Sequence, residues 1–140
     1  MSKQFEEVLK VNEIFYQALE SGALDLMEEV WVKDERAKCA HPGWPMLFGW
    51  EAIRQSWKNI FDAGGPMQIR ISHVTGEVSE DLAWVTCIEH ISHKIRDQIQ
   101  TSLAQTTNIF ERHGSRWLMI HHHASPIPVP RGSMREEKLQ

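Results

Sequence analysis

The stretch Arg116-Trp117-Leu118-Met119-Ile120-His121-His122-His123-Ala124-Ser125-Pro126 decides how the rest of the chain is read. Three adjacent histidines suggest a purification tag. Tag histidines lie in polar terminal segments, however, whereas these continue a Trp-Leu-Met-Ile run and stop at Ser-Pro. An apolar run closed by proline reads as a β-strand. Because successive side chains on a strand point to opposite faces, Leu118, Ile120 and His122 are expected on one face, with Trp117, Met119, His121 and His123 on the other. The triplet then marks two places rather than one.

Upstream of this strand the same period of two recurs over 67–78, 82–93 and 99–112, with short polar turns between, which predicts a meander of antiparallel strands. Further back the period becomes helical. Phe5, Val8, Leu9, Asn12, Phe15, Tyr16 and Leu19 form one stripe interrupted by a single amide, and Ser21-Gly22 ends it. A shorter helix follows through Leu24, Met27, Val30 and Trp31, and a third carries Trp50, Ile53, Trp57, Ile60 and Phe61 before Gly64-Gly65-Pro66. Between them residues 36–41 alternate weakly and run into Pro42-Gly43, a short strand and a turn. The order predicts an α+β domain over 1–126, with three N-terminal helices packed on one face of a curved, mostly antiparallel sheet. Residues 127–140 are read as a flexible tail carrying Pro128, Pro130 and a charged end.

Composition narrows the function classes. With 140 residues, 41% hydrophobic, the chain can bury a sizeable core in one domain. Fifteen basic and 19 acidic residues give a net charge of -4 without a basic block, so no nucleic-acid partner is expected. No apolar stretch is long enough for a membrane span, and the polar amino terminus lacks a signal pattern, so a cytoplasmic protein is expected. Cys39 and Cys87 lie in apolar alternating segments and suit reduced, buried thiols. Six tryptophans point to a large aromatic core or an aromatic-lined pocket.

The element order, with Phe48-Gly49-Trp50-Glu51-Ala52-Ile53 before the third helix and Gly114-Ser115-Arg116-Trp117 before the last strand, resembles the NTF2-like superfamily. Within it the chain looks most like SnoaL-like and ketosteroid-isomerase-like proteins, and its last strand resembles the association domain of calcium/calmodulin-dependent kinase II. The resemblance implies a cone, a cavity between sheet and helices, and a dimer through the sheet's outer face. Activities in the superfamily range from isomerases and cyclases to proteins without catalysis, so fold alone does not assign one.

The cone implies an inward set. Ala124, His122, Ile120 and Leu118 on the last strand, placed by the likeness to the kinase association domain, Thr106, Asn108 and Phe110 on the preceding one, and Ala83, Val85, Cys87 and Glu89 before that should face the cavity. His41 matches the strand end that carries the base of ketosteroid isomerases. His41, Glu89 and His122 are therefore the candidate catalytic residues, an imidazole near neutral pH being suited to proton transfer and a carboxyl beside it to acid/base pairing. Against this stand a turn histidine capping backbone groups and a strand-end glutamate reaching water. Asn108, Trp44, Trp57, Tyr16 and Phe15 are candidate ligand contacts, Trp44 in its Pro-Gly-Trp-Pro loop serving as a lid. The isomerase pattern is incomplete: Phe15 stands where a tyrosine donor is needed, unless Tyr16 replaces it, and Asn108 replaces a protonated aspartate. Ala124 stands where the kinase domain carries an arginine, so carboxylate recognition is not implied.

The ligand is expected to be a small, uncharged or weakly polar organic molecule, with isomerase, cyclase or hydratase chemistry and no cofactor. The alternative is a non-catalytic binding or dimerisation module. His121 and His123, two apart on one face, could join His90 as metal ligands, but interface or surface roles take precedence and no metal site is expected. Trp84, Trp117, His121 and His123 are assigned to the outer face, where a homodimer would cover the tryptophans.

Overall fold

The computed structural model describes residues 2–65 and 67–129. The first element, α1 (Lys3–Ser21), starts where the Ser2 hydroxyl accepts from the Phe5 amide and ends at Gly22, whose φ of 65° is the left-handed cap that glycine adopts without strain. A second helix, α2 (Leu24–Val30), folds back against it. Then β1 (Lys38–Ala40) and β2 (Leu47–Phe48) form a small antiparallel pair before α3 (Trp50–Ala63). The remaining chain is the meander β3 (Met67–Ser79), β4 (Leu82–Ile95), β5 (Gln98–His113) and β6 (Arg116–Ile127). The six strands make one curved sheet in the order β2-β1-β6-β5-β4-β3, antiparallel except where β1 lies parallel to β6. Two-residue β2 has no sequence signature, because its strand character comes only from pairing with β1.

The helices cover the inner face, and Phe15, Met27, Trp31, Ile53, Trp57, Phe110 and Met119 fill the space between. Each predicted inward position on β4 and β5 is buried, Ala83, Val85, Cys87 and Glu89 on the first and Thr106, Asn108 and Phe110 on the second, as the alternation requires.

On β6 the predicted parity fails at its amino-terminal half. Ile109 pairs with His121, but the next residue, Phe110, pairs with Met119, so Ile120 is an extra residue in a β-bulge. The extra residue reverses the facing of everything before it. Trp117, 3% exposed, and Met119 point into the core, while Leu118 and Ile120 are only half-buried. The outer-face assignment of Trp117, and with it the expected dimer contact there, is thus corrected: its indole belongs to the monomer's core. The inward placement of His122 and Ala124, beyond the bulge, holds. A second bulge on β3 lies between Ser72 and Thr75, with His73 at a φ of 54°. The proposed tail begins within β6, and residues 130–140 lie outside the described residues.

Candidate functional site

Helical periodicity lines up Asn12, Phe15 and Tyr16 on the buried stripe of α1, facing the inner side of β4, β5 and β6. From the sheet come Cys87 and Glu89 on β4, Thr106 and Asn108 on β5, and His122 on β6. Glu89 pairs with Ala104, Cys87 with Thr106, and Asn108 with His122, so register alone brings these groups into adjacent rows.

A hydrogen-bonded run joins most of them. The Tyr16 hydroxyl donates to Glu89 Oε2 at 2.7 Å and lies 3.4 Å from Cys87 Sγ. The Asn108 amide donates to Asn12 Oδ1 at 2.9 Å and to the Tyr16 oxygen at 3.3 Å. With that amide nitrogen committed as donor, Asn108 Oδ1 is the acceptor facing His122 Nδ1 at 2.6 Å, so Nδ1 carries the proton and Nε2 the lone pair. The expected pairing of Glu89 with a histidine is replaced: its partner is Tyr16. A phenol on α1 does stand in the site, and it is Tyr16, whereas Phe15 is wholly buried among the rings of Tyr16, Trp31, Trp57 and His122.

His41 follows β1 and is 4% exposed, held between the edge-on rings of Trp44 and Trp57 at centroid distances of 4.7 and 4.5 Å. It is a buried residue and not a turn histidine in water. Its Nε2 lies 2.9 Å from Ser56 Oγ, in the middle of α3. His41 does not share a hydrogen bond with Glu89 or His122; the indole of Trp57 spans the distance, 6.1 Å from the His122 ring. Trp44, 44% exposed, covers His41 from the solvent side.

Burial sets the protonation states. It pushes His41 down to about 4 and His122 well below the usual imidazole range, so both are neutral near pH 7. It also raises Glu89, 1% exposed, above an ordinary carboxyl, against the opposing hydrogen bond from the Tyr16 hydroxyl, which favours the charged form. Thr106 Oγ1 lacks hydrogen-bond geometry to any partner, as do Asn12 Nδ2 and the indole nitrogens of Trp31 and Trp57. Tyr16 is held well above its ordinary value by burial and by Glu89, and therefore remains a donor. Cys39 and Cys87 are free, buried thiols, raised by desolvation. The described interior thus holds neutral acceptors, neutral donors and an acid of raised pKa, with no Lys or Arg among its buried groups.

Sequence reading brought Asn12 and Thr106 to the right faces without giving them partners, and it missed Ser56. The available signal was Ser56 three residues after Ile53 on the apolar stripe of α3, a hydroxyl where an aliphatic residue would suit the core. On the outer face, His121 and His123 have ring centroids 6.2 Å apart, and His90 is bonded to Arg70 and Ser72.

The SnoaL-like domain family matches residues 8–130. An F-box protein of Arabidopsis thaliana, SKIP8, is 28% identical over 122 residues, which is 87% of this chain and 50% of that protein, so the chain spans about half the length of this curated relative. A solved structure from Streptomyces avermitilis, provisionally named a dehydratase of the NTF2-like family, is 28% identical with a TM-score of 0.83, covering 88% of this chain and 95% of that one. Another, from Thiobacillus denitrificans and provisionally named a calcium/calmodulin-dependent protein kinase type II association domain, is 29% identical with a TM-score of 0.74, covering 84% and 93%. The S. rosetta CaMKII hub shares the fold at 20% identity and a TM-score of 0.72, over 87% and 95%. With its three helices on a six-stranded cone and a family match over nearly its whole length, the chain belongs to the SnoaL-like family of the NTF2-like superfamily.

Proposed function

We propose that this protein binds a small, uncharged organic molecule in the interior of its cone and performs acid/base chemistry of the isomerase, cyclase or hydratase type. His41 is the proton acceptor, Glu89 the proton donor, and His122 with Asn108 a hydrogen-bonding pair that orients the ligand. The observation that carries this reading is the separation of protonation tendencies by burial alone: His41 is depressed to about 4, and Glu89 is raised. Burial thus works against the charged form of each, leaving His41 proton-free near pH 7 and shifting Glu89 toward its acid form, the directions a hydration or dehydration uses. Tyr16 donates its one proton to Glu89 Oε2 and holds that carboxyl in place, with Trp57 and Trp44 as the aromatic wall and lid. No cofactor or metal enters this scheme. The provisional dehydratase name of the Streptomyces avermitilis relative agrees with it.

A second reading is supported by the likeness to association domains. Trp84, 37% exposed, stands on the outer face, where Thr86, Ile88, Gln105, Thr107, His121 and His123 line a groove of about 620 Å³. A homodimer covering Trp84, His121 and His123 accounts for this face. No helix among the described residues is long and apolar enough to cross a membrane, and a cytoplasmic site of action accompanies both readings.

The deciding experiment is native mass spectrometry of freshly purified protein, joined to ligand-observed NMR with neutral enones and β-hydroxy ketones and with their carboxylate analogues. The acid/base reading expects a retained neutral molecule or saturation transfer to neutral compounds, and deuterium exchange beside their carbonyls that His41→Gln and Glu89→Gln abolish. Exchange unaffected by both substitutions, or binding confined to carboxylates, refutes it.

A further inference from the structure

The hydrogen bonds around Ser56 determine more than the position of His41. Ser56 is buried on α3, and its hydroxyl donates to the Ile53 carbonyl at 2.6 Å. A serine hydroxyl has one proton, so at the 2.9 Å contact with His41 Nε2 the oxygen can only accept. The proton in that contact therefore belongs to Nε2. In a neutral imidazole the lone pair is then on Nδ1. The other neighbour does not occupy it: Cys39 Sγ is 3.9 Å from both ring nitrogens, and a sulfur equidistant from the two lies beside Cε1 or over the ring face, off the axis of the Nδ1 lone pair. The indoles of Trp44 and Trp57 meet the ring edge-on and restrict its rotation.

We infer that Ser56 is a positioning residue that locks His41 in the Nε2–H tautomer, so that Nδ1 is the nitrogen that takes a proton or a hydrogen bond from the ligand. The inference rests on the reading of His41 as the proton acceptor and adds which of its atoms acts and what holds it. The helix supplies the lock: the Ile53 carbonyl is three residues back along α3, so the hydroxyl is turned toward its own backbone and its lone pair toward β1. Threonine keeps this geometry, since it offers the same hydroxyl; alanine removes it. His122 shows the opposite arrangement, Nδ1–H held by Asn108, so the two interior imidazoles present different nitrogens.

The test uses the full chain, uniformly labelled with 15N and without added ligand, and reads the imidazole nitrogens through long-range proton correlations. His41 is expected to show one unprotonated nitrogen, Nδ1, and one protonated nitrogen, Nε2, whose proton exchanges slowly with water. Ser56→Ala should move the two nitrogen shifts toward each other and speed exchange of the Nε2 proton by roughly five-fold, in line with the net worth of one neutral hydrogen bond. Ser56→Thr should restore both. A protonated Nδ1 in the unsubstituted protein overturns the inference, as does Ser56→Ala leaving shifts and exchange unchanged. If Ser56→Ala fails to fold, the tautomer of the unsubstituted protein and of Ser56→Thr decides. Because no ligand is present, the outcome is separate from that of the functional reading: a locked Nε2–H tautomer with no exchange chemistry keeps the lock and removes the base.

Discussion

Acidification from about pH 7.5 to about pH 4 should cost this protein stability through one identifiable group. His41 is ordinary in the unfolded chain, at 6.5, and depressed to about 4 in the folded one because burial disfavours the imidazolium. Between those values the unfolded chain binds the proton and the folded one does not, so stability falls as pH falls, beginning near 6.5 and levelling off below about 4. A difference of about 2.5 pK units at 1.36 kcal/mol each makes the loss about 3 kcal/mol. At about 2.1 cal/mol/K of unfolding entropy per residue, over 140 residues, that is a fall of roughly 10 °C in melting temperature. His41→Gln keeps an N–H for Ser56 and cannot titrate. Urea unfolding of both proteins at about pH 7.5, 6, 5 and 4 reads the effect, because Glu89 titrates in each and cancels in the difference, as does His122 apart from the part of its lowering that His41 itself causes. The unsubstituted protein should lose about 3 kcal/mol more than His41→Gln across the series. Equal losses would refute the buried, neutral state of His41, and with it the account of how the site keeps a proton acceptor free at neutral pH.

Other expectations follow from neighbouring contacts. Tyr16→Phe removes the donor to Glu89 Oε2 and should destabilise by about 1–3 kcal/mol. The raised carboxyl carries stability that is lost as pH climbs through its folded value, and without Tyr16 that value climbs further, so chemical melts should show a larger deficit at alkaline than at mildly acidic pH; an identical deficit at both would contradict it. Trp117→Ala should cost about 3–5 kcal/mol at every protein concentration, as a core indole does, whereas Trp84→Ala should cost the monomer little and lower the mass seen by analytical ultracentrifugation. A dissociating but stable Trp117→Ala would restore that residue to the outer face. Gly76→Ala should disrupt β3, because a Cβ there would sit 2.0 Å from the Trp84 carbonyl oxygen across the β3–β4 pair; a soluble variant with unchanged melting temperature would be the contrary result.

Much of the architecture was legible because it depends on period. The stripe from Val8 through Tyr16 and the alternation from Ala83 to Glu89 are local patterns, and local backbone geometry turns them into faces without reference to the rest of the molecule. Even the odd members could be read: Asn12 interrupts an apolar stripe, and it is buried against Asn108. The dipeptide-scale signals at Ser21-Gly22 and Gly64-Gly65 likewise ended helices where they were expected to.

What escaped depended on one residue's worth of register or on a partner from another element. Ile120 resembles its neighbours, yet it is the extra residue that turns Trp117 from the outer face to the core, and only the pairing of β5 with β6 shows it. Glu89 announced itself as a carboxyl in an apolar strand, but that its donor is Tyr16 follows from how α1 is rotated against β4. Ser56 has no signal tying it to His41, 15 residues earlier, until α3 is laid beside β1. The sequence by itself determined which neighbouring residues of a strand share a face, and its resemblance to a known family implied that His122, Glu89 and His41 belong to the cone, because period sets a side chain's direction only relative to its neighbours. Which nitrogen, which hydroxyl and which tryptophan act there was decided only in the tertiary structure, because the deciding contacts, His41 with Ser56, Glu89 with Tyr16 and His122 with Asn108, join different elements and need donor and acceptor within about 3 Å.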